Sequence, residues 1–205
     1  KPEIRPLPDA ESRELADLLA HRNYLVGMRT AQLNRRKQIP SERVIQDIDG
    51  VVELLDTQIA AIEKEIDDRI DRSETWKRRS AILRSTPGIG SQSARVLVIA
   101  LPELGQANRQ QIAALVGLAP MNCDSGTMRG RRSTCGGRAG IRTALYMATL
   151  TAIRVNPVIR QMYDRLVDLG KLKKVAIIAC MRKLLCILNT MVREEKMWAV
   201  RTLAA

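Results

Sequence analysis

The chain has 205 residues, 45% of them hydrophobic but only 2% aromatic and none phenylalanine, so its core must be built from Leu, Ile, Val, Ala and Met. The formal net charge of +12 points to a polyanionic partner, although an anionic membrane surface would also select basic residues. No zinc site is expected, because Cys123, Cys135, Cys180 and Cys186 form no CxxC pair and the one histidine, His21, is remote in sequence.

The charge is placed unevenly. Residues 1–76 carry 12 basic and 16 acidic side chains, residues 77–160 carry 13 against 2, and residues 161–205 carry 9 against 4. The polyanion is therefore expected on the middle and last thirds. No apolar run approaches the ~20 residues of a membrane span, no stretch reads as a signal peptide, and the cysteines are expected as free thiols in a reducing cytoplasm.

Residues 1–8 hold three prolines and read as a linker. A first helix is expected from Asp9, its N-cap, to about Lys37, with Leu15, Leu18, Leu19, Leu25 and Met28 on one stripe. Ile39-Pro40-Ser41 breaks it. A second helix over Glu42–Arg72 sets Val44, Ile48, Val51, Leu55, Ile59, Ile62, Ile66 and Ile70 in three- and four-residue steps, the seam of a coiled coil. Residues 9–74 are thus expected as an antiparallel coiled-coil hairpin that associates with a second copy, as a dimer or tetramer. The same seam would equally serve an intramolecular spacer.

Residues 75–195 read as a compact helical domain and residues 196–205 as a tail. A basic helix leads into Thr86-Pro87-Gly88-Ile89-Gly90, a turn like that of a helix-hairpin-helix. There Gly88 and Gly90 would let backbone amides approach a phosphate; a plain helical corner is the alternative. Asn108 caps a short helix ending near Gly117 and Pro120.

Next comes the most distinctive stretch, Pro120 to Tyr146. It holds Ser125-Gly126, five arginines (Arg129, Arg131, Arg132, Arg138 and Arg142) and five glycines that interrupt any continuous helix. A hydroxyl on an arginine-rich loop suits attack on a phosphodiester, or merely a grip on nucleic-acid backbone. Helices follow over Ala139–Arg154, from Asn156-Pro157 to Gly170, and through VAIIACMRKLLCILNTMV. Lys171, Lys173 and Lys174, at the corner before the last helix, either meet a phosphate or cap a solvated turn. No β pattern of useful length occurs, so the chain reads as all-α.

The order PGIG, GLAP, Ser-Gly, a Gly/Arg loop, IRTALYMA, a lysine-rich corner and MRKLL resembles the C-terminal serine domain of the IS one-ten family of insertion-sequence transposases, the bridge-RNA-guided recombinases. The preceding helices resemble that family's coiled-coil linker. The resemblance implies that Ser125 is the catalytic serine, attacking the scissile DNA phosphate to form a phosphoserine. Gly126, Arg129 and Arg142 would support the loop, and Gly88, Gly90, Arg131, Arg132, Arg138, Lys171, Lys173 and Lys174 would contact nucleic acid. It further implies donor and target DNA, a guide RNA, and Mg²⁺ held by an upstream RuvC-like domain, with no metal ligand in these residues. A cytoplasmic, nucleoid-associated location goes with it. One departure is Thr134-Cys135-Gly136-Gly137, which stands where the family frequently has Ser-Lys-x-Gly. Ser133 is the rival nucleophile. The reading from a different class is a non-enzymatic helix-hairpin-helix module whose coiled coil recruits partners.

Overall fold

The computed structural model describes residues 9–121 and 133–199. Their elements are α-helices and one pair of two-residue strands, divided into two compact units, Lys1–Glu74 and Thr75–Ala205. The expected all-α class is what the structure has.

In the first unit, α1 (Ala10–Arg36) and α2 (Glu42–Arg72) pack side by side. Asp9 caps α1: its carboxylate accepts from the Ser12 N–H at 2.7 Å, and hydrogen bonding by Ser12, its side chain first and then its backbone, holds the Asp9 pKa below the usual carboxylate value. The helices run antiparallel, with Arg22–Glu63, Arg29–Asp56 and Arg36–Asp49 each paired at 2.6 Å. These pairs step seven residues at a time along both helices in opposite directions. Arg69 reaches Glu14 at 2.7 Å farther along. Such solvent-facing pairs contribute only ~0.2–1 kcal/mol each, so their consequence is register rather than strength.

The buried seam of α2 is Ile48, Leu55, Ile59, Ile66 and Ile70, and Leu25, Leu55 and Ile59 form a core cluster flanked by Val26 and Ile62. Val51, expected in this seam, and Met28, expected on the stripe of α1, face solvent. Val51 is 42% exposed and Met28 39% exposed, while the neighbouring Val52 is half-buried. The step from Ile48 is therefore four residues, to Val52, and then three to Leu55. A rotation of one residue is enough to turn Val51 outward.

The second unit is arranged about α8 (Lys173–Glu194), against which α5 (Arg109–Val116), α6 (Ala139–Val155) and α7 (Pro157–Asp168) all pack. α4 (Ser91–Ala100) packs on α6, and α3 (Glu74–Arg84) leads into the Thr86–Gly90 turn. Ala176, Ile177, Cys180, Met181, Leu184, Leu185, Ile187 and Leu188 of α8 are all buried. Among the described residues α8 is the one helix long and apolar enough to cross a membrane, a feature the sequence reading passed over because Arg182 and Lys183 interrupt the run. Over half of that span is buried inside the protein, the property of a core helix.

Two buried asparagines tie loops to this core. The Asn189 amide donates to Ala107 O at 2.9 Å and its oxygen accepts from Gly105 N at 2.8 Å. Asn156 caps α7 through Val158 and Ile159 N–H and donates to Pro87 O at 3.3 Å. Each amide satisfies backbone groups that burial would otherwise leave unpaired.

Candidate nucleic-acid interface

α5 is started by a capping box, in which the Asn108 side chain accepts from Gln111 N–H and the Gln111 side chain accepts from Asn108 N–H. It ends at Gly117 in the left-handed conformation, φ 76°. Strand β1 (Pro120–Met121) then pairs antiparallel with β2 (Ser133–Thr134), Pro120 opposite Thr134 and Met121 opposite Ser133. This short ladder was not foreseen, because two residues a side leave no alternation to read.

Beyond β2 the chain folds back onto the end of α5. Gly136 and Gly137 both have positive φ, 70° and 64°, and a Cβ on Gly137 would collide with Gly117 N and the carbonyl groups of Leu115 and Val116. Arg138 N–H donates to Leu115 O at 2.9 Å. The Arg142 guanidinium donates to Val116 O at 3.2 Å and Gly136 O at 2.5 Å. Three glycines, a strand pair and one arginine thus hold both ends of the intervening segment side by side. Ser125, Gly126, Arg129, Arg131 and Arg132, expected to carry the chemistry, lie within residues 122–132, outside the described residues.

The described basic residues divide by what they already hold. Arg138 makes a two-pronged pair with Glu103, 2.7 and 2.6 Å, and donates to Ala100 O at 2.7 Å. Glu103 is one of only two acids between residues 77 and 160; it fixes Arg138 at the start of α6, a structural role the sequence reading did not foresee. Arg142 is engaged by carbonyl oxygens, with charge left over. Lys171, Lys173 and Lys174 are exposed and have no carboxylate partner among the described residues.

Lys174 and Arg142 meet at a cavity of about 400 Å³ lined by Leu118, Thr134, Arg142, Thr143, Tyr146, Lys174, Ile178 and Met181. α6 presents Arg142, Thr143 and Tyr146 along one side, α8 presents Lys174, Ile178 and Met181 at four- and three-residue steps, and β2 contributes Thr134. Thr134, Thr143 and Tyr146 were not singled out from sequence. The helical spacing of each set was legible, but nothing in the chain says that these faces of α6 and α8 look at one another.

The Thr86–Gly90 turn has its own packing logic. Gly88 sits at φ 102°, and a Cβ there would lie 2.6 Å from Cα and Cβ of Ala152 on α6. Thr86 and Ile89 are buried. The glycine therefore permits close approach of this turn to α6. Gly90, the N-cap of α4 with no side-chain cap bond, is exposed, and a Cβ there would meet nothing. Only Gly90 of the pair faces outward.

The family comparison covers this same stretch. Residues 80–164, from the end of α3 through most of α7, match the model described as Transposase IS116/IS110/IS902 family. Residues 80–164 belong to that family. Among curated relatives, the pilin gene-inverting protein of Moraxella bovis is 28% identical over 180 residues, 86% of this chain and 54% of its own length. An IS900 insertion element 42 kDa protein of Mycobacterium paratuberculosis is 32% identical over 155 residues, 74% of this chain and 38% of its own length. An IS110 insertion element protein of Streptomyces coelicolor is 27% identical over 124 residues, 60% and 31% of the two lengths. The chain spans about half the length, or less, of these curated relatives.

The matched transposase segment contains the β1–β2 pair, Arg138 and Arg142, but not Lys174. No group of three His, Cys, Asp or Glu side chains converges among the described residues, and the carboxylate of Glu103 is already taken by Arg138.

Proposed function

We propose that this chain is the strand-transfer part of a DNA transposase or recombinase, with Ser125 as the nucleophile. The observation that carries the reading is the neck: the β1–β2 pair and the Arg142 hydrogen bonds hold Met121 and Ser133, the residues that flank 122–132, side by side, and Arg142 also lines a cavity with Lys174. A serine hydroxyl on such a loop reaches a backbone phosphate while arginines of the same loop balance the charge that builds on phosphorus. In the step proposed, the Ser125 Oγ–P bond forms as one P–O bond to deoxyribose breaks. The freed sugar hydroxyl takes up a proton and the serine loses one. The phosphodiester bond energy is kept in the phosphoserine, so reversal onto a different sugar hydroxyl rejoins strands without an external energy source. That is what inversion or transposition needs, and simple hydrolysis would lose it.

The cation-binding acids implied by the family resemblance belong, in this reading, to a RuvC-like domain outside these 205 residues, and guide RNA and DNA are bound by the assembled protein. The test uses a protein carrying such a domain ahead of this chain, with guide RNA, Mg²⁺ and a DNA substrate nicked next to the cleavage point so that the covalent species accumulates. Peptide mapping is expected to find the nucleotide adduct on Ser125, and Ser125→Ala to abolish strand exchange while DNA binding persists. An adduct on Ser133 overturns the assignment. Recombination by the wild type with no adduct at all overturns the covalent mechanism.

A further inference from the structure

The cavity between α6 and α8 is built for more than a phosphate. Its floor is apolar, made by Leu118, Ile178 and Met181, and its rim carries the two cations, Arg142 and Lys174, with the hydroxyls of Thr134, Thr143 and Tyr146. A lone phosphate has no use for an apolar floor, and about 400 Å³ is room for a small organic group. Part of the rim is uncommitted, although Arg142 donates to Val116 O and Gly136 O. Lys174 and the Tyr146 hydroxyl have no hydrogen-bond or ion-pair partner among the described residues, whereas Thr143 donates to Ala139 O at 3.1 Å and keeps its lone pairs for accepting.

We propose that this cavity receives one unstacked nucleotide of the strand that the neighbouring loop engages. Its base lies on the Tyr146 ring and the floor of Leu118, Ile178 and Met181, and its phosphate sits between Lys174 and Arg142. The inference rests on the reading that this chain works on nucleic acid, and adds which part of the strand is held and how. An aromatic face takes any base by stacking, so the pocket selects for an unpaired nucleotide rather than for a sequence. It also explains the position of Arg142: the guanidinium that locks the loop's end to α5 is the same one that faces the phosphate, so strand and loop are referenced to one rigid point.

The test uses the purified chain and 20-nucleotide single strands, either with all bases or fully abasic, over a salt series. The pocket predicts that the normal strand binds about tenfold more tightly than the abasic one, the scale of a single stacked base. Tyr146→Phe should keep that preference and Tyr146→Ala should lose it. Lys174→Gln should lower the slope of log affinity against log salt by about 0.7, the share of one phosphate contact in a single strand. In the wild type, a strand carrying 5-iodouracil should photocross-link to Tyr146, identified by peptide mapping, which settles the matter even if Tyr146→Ala fails to fold. Inorganic phosphate added at matched ionic strength should not compete. Competition by phosphate alone would mean a simple anion site and overturn the nucleotide. Binding of the normal strand with no preference over the abasic one, or cross-links confined to other residues, sinks the pocket while leaving the transposase reading intact. No binding to any strand sinks both.

Discussion

At the scale of single residues, the side chains that look most available in the sequence are often the ones already in use. Arg138 sits among four other arginines, yet its guanidinium is held by Glu103 and Ala100 O. Gly88 resembles a phosphate-approach glycine, but its positive φ and the proximity of Ala152 give it a packing reason. Gly88→Ala is therefore expected to cost about 2–4 kcal/mol, from left-handed strain plus overpacking, and Gly90→Ala to cost far less, both read as shifts in the urea midpoint. Equal effects would mean the turn does not press on α6. The cysteines separate similarly. Burial, and then the charge of Asp164, push the Cys180 thiol up to about 11, while Cys135 is exposed. Because this raised value favours the neutral thiol in the fold, its contribution is whole below pH 9 and is lost as pH rises toward 11. Iodoacetamide at pH 8 should label Cys135 within minutes and leave Cys180 unlabelled until urea is added, as mass spectrometry would show.

At the scale of elements, the hairpin and α8 teach opposite lessons about apolar faces. In the hairpin, Ile59 at 6% exposure is consumed inside the chain by Leu25 and Leu55. Ile59→Ala should therefore lower the hairpin's own stability by about 2–5 kcal/mol. The residues left over for another copy are Val51 and Leu54, 42% and 58% exposed. If the hairpin self-associates, as proposed for a recombinase that needs several active sites together, replacing Val51 and Leu54 with Asp should give monomers in sedimentation with helix content unchanged. A mass that does not change would place the contact elsewhere. In α8 the apolar content reads as a membrane candidate by length alone, but α5, α6 and α7 packed against it supply partners for its buried face, and composition by itself cannot distinguish a lipid from a neighbouring helix.

At the scale of the whole chain, charge is partitioned: the hairpin region is net acidic by count and the region after it strongly basic. The purified chain is expected to bind DNA or structured RNA with affinity falling steeply as salt rises, since counterion release dominates such contacts. With Mg²⁺ present it should leave plasmid DNA uncut, because the described residues assemble no carboxylate group for a cation. Nicking by the chain alone, checked on agarose gels, would defeat the divided active site. A flat salt dependence would defeat the electrostatic reading.

Helix after helix was legible in the sequence because each carries local signals. Asp9, Asn108 and Asn156 are N-caps in the structure as their side chains suggest, and Gly117 and Gly170 close helices in left-handed backbone. The basic tract was equally plain, since charge is a sum over residues and needs no coordinates. What tertiary structure alone decided is which faces meet. The strand pair at the neck, the Arg138–Glu103 bond across 35 residues and the cavity shared by Tyr146 and Lys174 all join positions far apart in the chain. Their pairing is fixed by how α5, α6 and α8 pack, and no periodicity along one helix records the face of another.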